Sequence, residues 1–423
     1  MSEGNSLERV FLFTLVSLAV FHQVCAIEVP LELLAEIESQ VGVNFTFSPD
    51  ATLNCTQLIS KYGYHGETHL VTTKDGYILE VHRITGPRLK PKPEGKPVVF
   101  LMHGILSSSV DWIISGPGKA FAYILADQGY DVWLGNARGN HYSQAHNKYS
   151  VTDKQFWKFS AHEIGIEDLP AMIDYIRVYT NRDKIFYVGH SQGTTSFFIM
   201  ASEKPEYNDK LISVSALAPI AYCKNMKSPL FKMMARFKKL LHNSMSAFGF
   251  HGMDKSSNDL LKKVMSIICP GEFSTRVICQ NILFLLTGFG SDQLNAALFP
   301  ALMGHVPAGA STRQFVHYAQ LIKSNEFRQY DHGVFGNNRK YGRITPPPYN
   351  LSKITVPVII HYSRNDWLSS VKDVSRLAKR LPNVYAKLEV PNPKFGHVDY
   401  VWGVDASRLI YSQSIALMKH FMN

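Results

Sequence analysis

The chain has 423 residues, 45% of them hydrophobic and 18% charged, a balance that excludes disorder as the main state. That length holds one large domain or a domain with an elaborate insertion. The net charge of +10 comes from dispersed lysines and arginines with no nucleic-acid-binding motif, which argues against nucleic acid as a partner; a basic surface suits anionic lipid or is simply an ordinary solvated one.

The first segment reads as a targeting signal. Val10 to Phe21 is apolar apart from Thr14 and Ser17, too short to span a bilayer and the right length for a signal-peptide core. Small residues around Val24-Cys25-Ala26 place the expected cleavage after Ala26, with a retained anchor as the alternative because Glu3 and Glu8 offset Arg9. Residues 1–26 are therefore expected to be a signal peptide, with secretion or the lysosomal lumen as destination and no transmembrane helix in the mature chain. Of the cysteines that remain, Cys269 and Cys279 lie ten positions apart and could close a small loop, while Cys55 and Cys223 read as free and buried. No Cys-x-x-Cys spacing occurs, so no zinc site is expected. Sequons at Asn44, Asn54 and Asn350 become candidate glycan sites in a secreted chain.

Further elements follow in order. Leu31 to Val41 is compatible with a short helix. Between Gly63 and Ile84, two alternating runs flank Lys74-Asp75-Gly76, the signature of a β-hairpin. Pro97 to Met102 is a continuous apolar run and reads as a buried parallel strand. A helix near Tyr123–Gly129, a strand at Tyr130–Leu134, a helix at Leu169–Tyr179 and strands at Lys184–Val188 and Leu211–Leu217 continue the alternation expected of a parallel α/β sheet. From Ala221 to Pro348 the pattern turns helical. Strands then return at Val356–Tyr362 and Ala386–Val390, with helices near Val371–Leu381 and Ala406–Phe421. The expected organisation is one α/β domain, residues 27–220 and 351–423, interrupted by a helical insertion at 221–350.

The chemistry centres on Gly189-His190-Ser191-Gln192-Gly193, which follows a strand and precedes a helix-compatible run. A serine on such a sharp turn is thrust out at the top of a sheet, and the two glycines make room for it. A nucleophilic serine needs a base, and the base needs an acid, each on a loop after a strand in the order Ser, Asp, His. Asp366 lies just past the Val356–Tyr362 strand and His397 just past the Ala386–Val390 strand. Asp373 is the second-choice acid, better read as part of the following helix. Two backbone N–H donors must hold the developing oxyanion. Gln192, after the serine, supplies one; Ile105, in the loop opened by His103-Gly104, supplies the other.

At this point the chain resembles the acid lipase family, the gastric and lysosomal acid lipases, from about Leu53 to the C-terminus. The stretches that carry the likeness start at Asp75-Gly76-Tyr77, His103-Gly104, Asp131-Val132-Trp133-Leu134-Gly135-Asn136, Gly189-His190-Ser191-Gln192-Gly193, Ala216-Leu217-Ala218-Pro219, Pro307-Ala308-Gly309 and His397-Val398-Asp399-Tyr400. The resemblance implies an α/β-hydrolase fold, a mostly parallel sheet flanked by helices, with Ser191, Asp366 and His397 as triad and Ile105 and Gln192 as oxyanion donors. It also places Cys269 and Cys279 where the family has a bridged pair, one residue further apart. Thr287 stands where the family has a third cysteine. His361-Tyr362-Ser363-Arg364 replaces a stretch that more often contains glycines, which is expected to shift the acid loop slightly.

In this family the insertion forms a cap with a movable lid. Here Leu230, Met233, Met234, Phe237, Leu240 and Leu241 fall on one helical face, with Lys232, Arg236 and Lys239 on the other. Such a helix can lie in a lipid interface or pack its apolar face on the core. The expected function is hydrolysis of lipid esters at a lipid–water interface, foremost triacylglycerol, through an acyl-serine and without metal or organic cofactor. Sterol-ester hydrolysis or acyl transfer by the same triad, and a non-enzymatic lipid-binding role, are the alternatives.

Overall fold

The computed structural model describes residues 48–89, 94–236, 251–254 and 291–422. Residues 1–26, the Leu31–Val41 helix, Asn44, Cys269, Cys279, Thr287 and the part of the amphipathic helix beyond 236 lie outside them.

A nine-stranded sheet runs through the described residues. Its strands are β1 (Gly66–Thr72), β2 (Tyr77–Ile84), β3 (Val98–Met102), β4 (Asp131–Leu134), β5 (Ala145–His146), β6 (Ile185–His190), β7 (Leu211–Leu217), β8 (Val358–Tyr362) and β9 (Val384–Glu389). They lie in the order β1-β2-β4-β3-β6-β7-β8-β9, with β5 beside β2. β1, β2 and β4 pair antiparallel; from β4 to β9 every pairing is parallel. The hairpin turns at Gly76, whose φ of +101° suits a residue without a Cβ.

The central strands are buried and mostly apolar because both sheet faces are covered. Phe100, Met102, Trp133, Ile185 and Tyr187 join one hydrophobic cluster, while Val99, Leu101, Val132, Phe186 and Val188 join the cluster on the other side. The helices that cover them include α1 (Cys55–Lys61), α2 (Phe121–Asp127), α3 (Leu169–Thr180) and α4 (Gln192–Glu203). Those that follow are α5 (Pro229–Arg236), α6 (Phe299–Met303), α7 (Thr312–Ser324), α8 (Gly333–Tyr341), α9 (Val371–Arg380) and α10 (Ser412–His420).

Most expected boundaries move by one or two residues, as where the Val356–Tyr362 strand starts at Val358 and the Tyr123–Gly129 helix is Phe121–Asp127. β9 begins at Val384 rather than Ala386, because on this edge strand exposed and half-buried positions alternate and no apolar run marks its start. The last helix begins with a π-type turn, Ser407–Tyr411, before α10. α5 to α8 all lie between β7 and β8, and the strand-like pairings described there are isolated bridges such as Gly252 with Ser311. Within α5 the buried side chains are Phe231 and Ala235; Met233 and Met234 are half-buried, and Lys232 and Arg236 are exposed. The buried stripe is thus offset from the face expected, because Phe231 turns toward Tyr318 of α7, with ring centroids 6.2 Å apart.

Candidate active site

β6 is buried along its whole length between β3 and β7, and it delivers Ser191 to the carboxyl edge of the sheet. Ser191 has φ 52° and ψ −117°, a conformation that a non-glycine residue holds only when its surroundings enforce it. Its N–H donates to Leu217 O at 3.1 Å, and its carbonyl accepts from Thr194 N at 2.9 Å and Thr194 Oγ1 at 2.6 Å. The flanking glycines are needed for space. A Cβ on Gly193 would lie 2.3 Å from Met102 O, and one on Gly189 would lie 2.9 Å from Thr194 N.

The loops after β8 and β9 bring Asp366 and His397 to this serine. His397 Nε2 is 2.7 Å from Ser191 Oγ, and His397 Nδ1 is 2.8 Å from Asp366 Oδ2. All three residues are buried. A carboxylate only accepts, so the imidazole proton sits on Nδ1 and leaves Nε2 free to accept from the serine hydroxyl. Asp366 Oδ1 accepts from Leu368 N at 2.8 Å and Ser369 N at 2.7 Å, which fixes the carboxylate despite the family-atypical residues before it. Among those, His361 is buried and bonded to Ser414 Oγ at 3.0 Å. Asp373 belongs to α9, where it accepts from Asn225 and Ser370 instead.

The two expected oxyanion donors flank the serine. Gln192 is the first residue of α4, so its N–H has no acceptor within the helix. The loop carrying Ile105 passes over Ser191: a Cβ on Gly104 would be 3.2 Å from Ser191 Cβ. His103 Nδ1 donates to Gly104 O at 2.7 Å, while Nε2 accepts from Ala137 N at 3.1 Å. Gly104 C=O and Ile105 N–H share one peptide plane, so anchoring that carbonyl orients the N–H in the opposite direction. Burial pushes His103 down to about 4, which keeps the ring neutral and this pattern intact.

Three contacts on the His397 loop had no foreseen role. His190 Nε2 donates to His397 O at 2.9 Å; burial first, and then the neighbouring His397, push its pKa down to about 3. Asp399 Oδ2 accepts from Gly396 N and from Ser291 Oγ, both at 2.6 Å. Burial raises this carboxyl to about 6, partly offset by those two donors. Gln293 ties the same segment further: its carbonyl accepts from Val404 N at 3.0 Å, its Oε1 accepts from Asp405 N at 3.0 Å, and its Nε2 donates to Asp405 Oδ2 at 3.1 Å. Only the two-residue offset between His397 and Asp399 hinted at this in the sequence.

Among the described residues no group of three or more His, Cys, Asp and Glu side chains could hold a metal ion. No helix among them is long and apolar enough to cross a membrane. Asn54 and Asn350 are exposed, each accepting at Oδ1 from the hydroxyl of its own sequon, Thr56 at 3.0 Å and Ser352 at 2.7 Å. Cys55 and Cys223 are free and buried.

Comparisons with known proteins give the family of the chain. Residues 55–116 match the family described as a partial alpha/beta-hydrolase lipase region, and residues 97–248 match the alpha/beta hydrolase fold. Lipase 3 of Drosophila melanogaster is 41% identical over 87% of this chain and 93% of its own length. Lipase 1 of the same organism is 40% identical over 87% of this chain and 80% of its own length. Gastric triacylglycerol lipase of Mus musculus is 40% identical over 88% of this chain and 93% of its own. A solved Acinetobacter baumannii protein described as a lipase candidate shares the fold, with a TM-score of 0.50 at 14% identity over 87% of this chain and 95% of its own.

Proposed function

Because the chain belongs to the acid lipase family of α/β hydrolases and is a carboxylic-ester hydrolase, we propose that it cleaves triacylglycerol through an acyl-Ser191 intermediate. The observation that carries this reading is the continuous chain Ser191 Oγ, His397 Nε2, His397 Nδ1, Asp366 Oδ2, with spacings of 2.7 and 2.8 Å. His397 takes the hydroxyl proton as Ser191 attacks the ester carbonyl, and Asp366 stabilises the imidazolium. The N–H groups of Ile105 and Gln192 receive the oxyanion. Collapse of the intermediate transfers the proton to the leaving alcohol, and water then repeats the sequence to free the fatty acid.

The same reading assigns residues 27–220 and 351–423 to the hydrolase core and 221–350 to a cap that covers the acyl site until lipid is present. It assigns 1–26 to a signal peptide, glycans to Asn44, Asn54 and Asn350, a bridge to Cys269 and Cys279, and the protein to the secretory pathway. The test is hydrolysis of emulsified triolein by the wild type and Ser191→Ala, across about pH 4 to 8 to bracket the histidine range. Equal rates for the two proteins defeat the proposal. Faster turnover of cholesteryl oleate than of triolein would shift the substrate class to sterol esters.

A further inference from the structure

The helical pair α7–α8 ends in a tip that presents apolar side chains to solvent. Phe335 is 90% exposed, Ile344 65% and Val334 59%. These side chains are not on a fraying end. The buried Asn337 accepts from His332 N at 2.8 Å and donates to Asp331 Oδ1 at 2.8 Å and to Ile344 O at 3.0 Å. One side chain thereby clamps the residues before α8 to those after it. Tyr341 adds a bond to Tyr330 O at 2.8 Å, and Gly342 closes the helix with φ +67°.

Cations outnumber carboxylates at the tip: Asp331 is taken up by Asn337 and by Gly333 N at its base, and Glu163 faces Lys340. From Gly333 to Asn350 the sequence holds Arg339, Lys340 and Arg343 and no acidic residue. All three cations are exposed, and among the described residues Arg339 and Arg343 have no carboxylate within ion-pair distance, while Lys340 stands 4.0 Å from Glu163. Phe335 and Arg339 are four apart on α8 and so share one face. Apolar side chains flanked by cations on a rigid support match the chemistry of an interface between acyl chains and anionic headgroups. The support also reaches the nucleophile's helix, because Tyr318 of α7 donates to Thr195 Oγ1 of α4 at 3.1 Å.

We propose that the α8 tip, with Val334, Phe335 and Ile344 as wedge and Arg339, Lys340 and Arg343 as collar, is an anchor that docks the enzyme on an anionic lipid surface. The anchor is separate from the basic amphipathic helix at α5, and it takes its partner class from the lipase reading. It holds the active site at a fixed attitude to the interface through α7 and α4.

The test is flotation of the Ser191→Ala protein, which cannot digest its target, with phosphatidylcholine vesicles made with and without phosphatidylserine. Phe335→Ser combined with Ile344→Ser is expected to lower partitioning onto the phosphatidylserine vesicles about tenfold. Arg339→Glu with Arg343→Glu is expected to abolish the preference for phosphatidylserine. In the Ser191 background of the wild type, the same surface changes should cut emulsion hydrolysis while leaving hydrolysis of a water-soluble butyrate ester and the melting temperature unchanged. Flotation unaffected by both variants overturns the anchor. So does a wild-type dimer that dissociates on Phe335→Ser, which would make a second copy the occupant. A protein that floats as expected but hydrolyses no ester would overturn the lipase reading and leave the docking result standing.

Discussion

Ser191 and His397 meet at 2.7 Å but are held by different physics. The serine turn is held by backbone and by close packing: Gly189 and Gly193 sit where a methyl group would strike Thr194 N and Met102 O, and strands lie on both sides. The histidine turn is held by polar ties from separate parts of the chain. His190 grips its carbonyl, Asp399 grips the N–H before it, and Ser291, from the stretch between β7 and β8, shares the same carboxylate. Steric placement tolerates almost no change in volume. Hydrogen-bonded placement tolerates changes of shape and fails when charge or donors change.

That contrast can be broken from either side. The largest effect is expected for His397→Ala, which removes the proposed base: kcat on a soluble ester should drop on the order of 10⁴-fold or more with the fold retained by circular dichroism. Gly193→Ala attacks the sterically held side, and the overlap with Met102 O should cost about 3 kcal/mol of stability, read by denaturant unfolding, together with activity. Asp399→Asn attacks the polar side. It keeps the volume and weakens the bond to Gly396 N–H, so kcat should fall roughly tenfold with the midpoint of unfolding little changed. An unaltered kcat in this variant would show that the tie does not position His397.

The smallest effect concerns pH. Burial holds His190 at about 3 and His361 at about 4, below the ordinary value of 6.5. Between those values the unfolded chain binds protons that the folded chain refuses, so the stability these neutral rings confer is complete above about pH 6.5 and is lost as pH falls toward 4. Asp111, raised to about 7 by burial, acts in the opposite direction, gaining stability as pH falls. His190→Gln, which retains a donor near the position of Nε2, should therefore flatten the acid side of a stability profile by on the order of 1 kcal/mol per pH unit. A profile parallel to the wild type's would contradict the buried neutral ring.

The strand in the middle of the sheet at Val98–Met102 was legible because burial on both faces writes a continuous apolar run, and Leu211–Leu217 because Ser213 and Ser215 alone interrupt its apolar residues. The order Ser191, Asp366, His397 was legible because each residue follows a strand-like segment, apolar before Ser191 and Asp366 and alternating before His397. β5 and the start of β9 were not, since two residues or an alternating edge leave too little pattern. The roles of His103, His190 and Asp399 were also hidden. Their contacts depend on which ring nitrogen or carboxylate oxygen faces which backbone group, and spacing along a chain does not encode that. In α5 a helical period identified the element, but the side that Phe231 buries was decided by α7, which sequence periodicity does not see.

The sheet order has a consequence for how the molecule comes to exist. Ser191 and His397 are 206 positions apart, and β8 must add to β7 across the whole insertion. A ribosome therefore finishes the serine turn and exposes the bare edge of β7 long before the strand that covers it has been made. Closing so long a loop is slow, and an open edge invites pairing with other chains. During that interval the nascent chain depends on its own helices or on chaperones to shield β7. The pairing of Ser191 with His397, unlike the local turn that carries the serine, arrives only when the last seventy or so residues have docked.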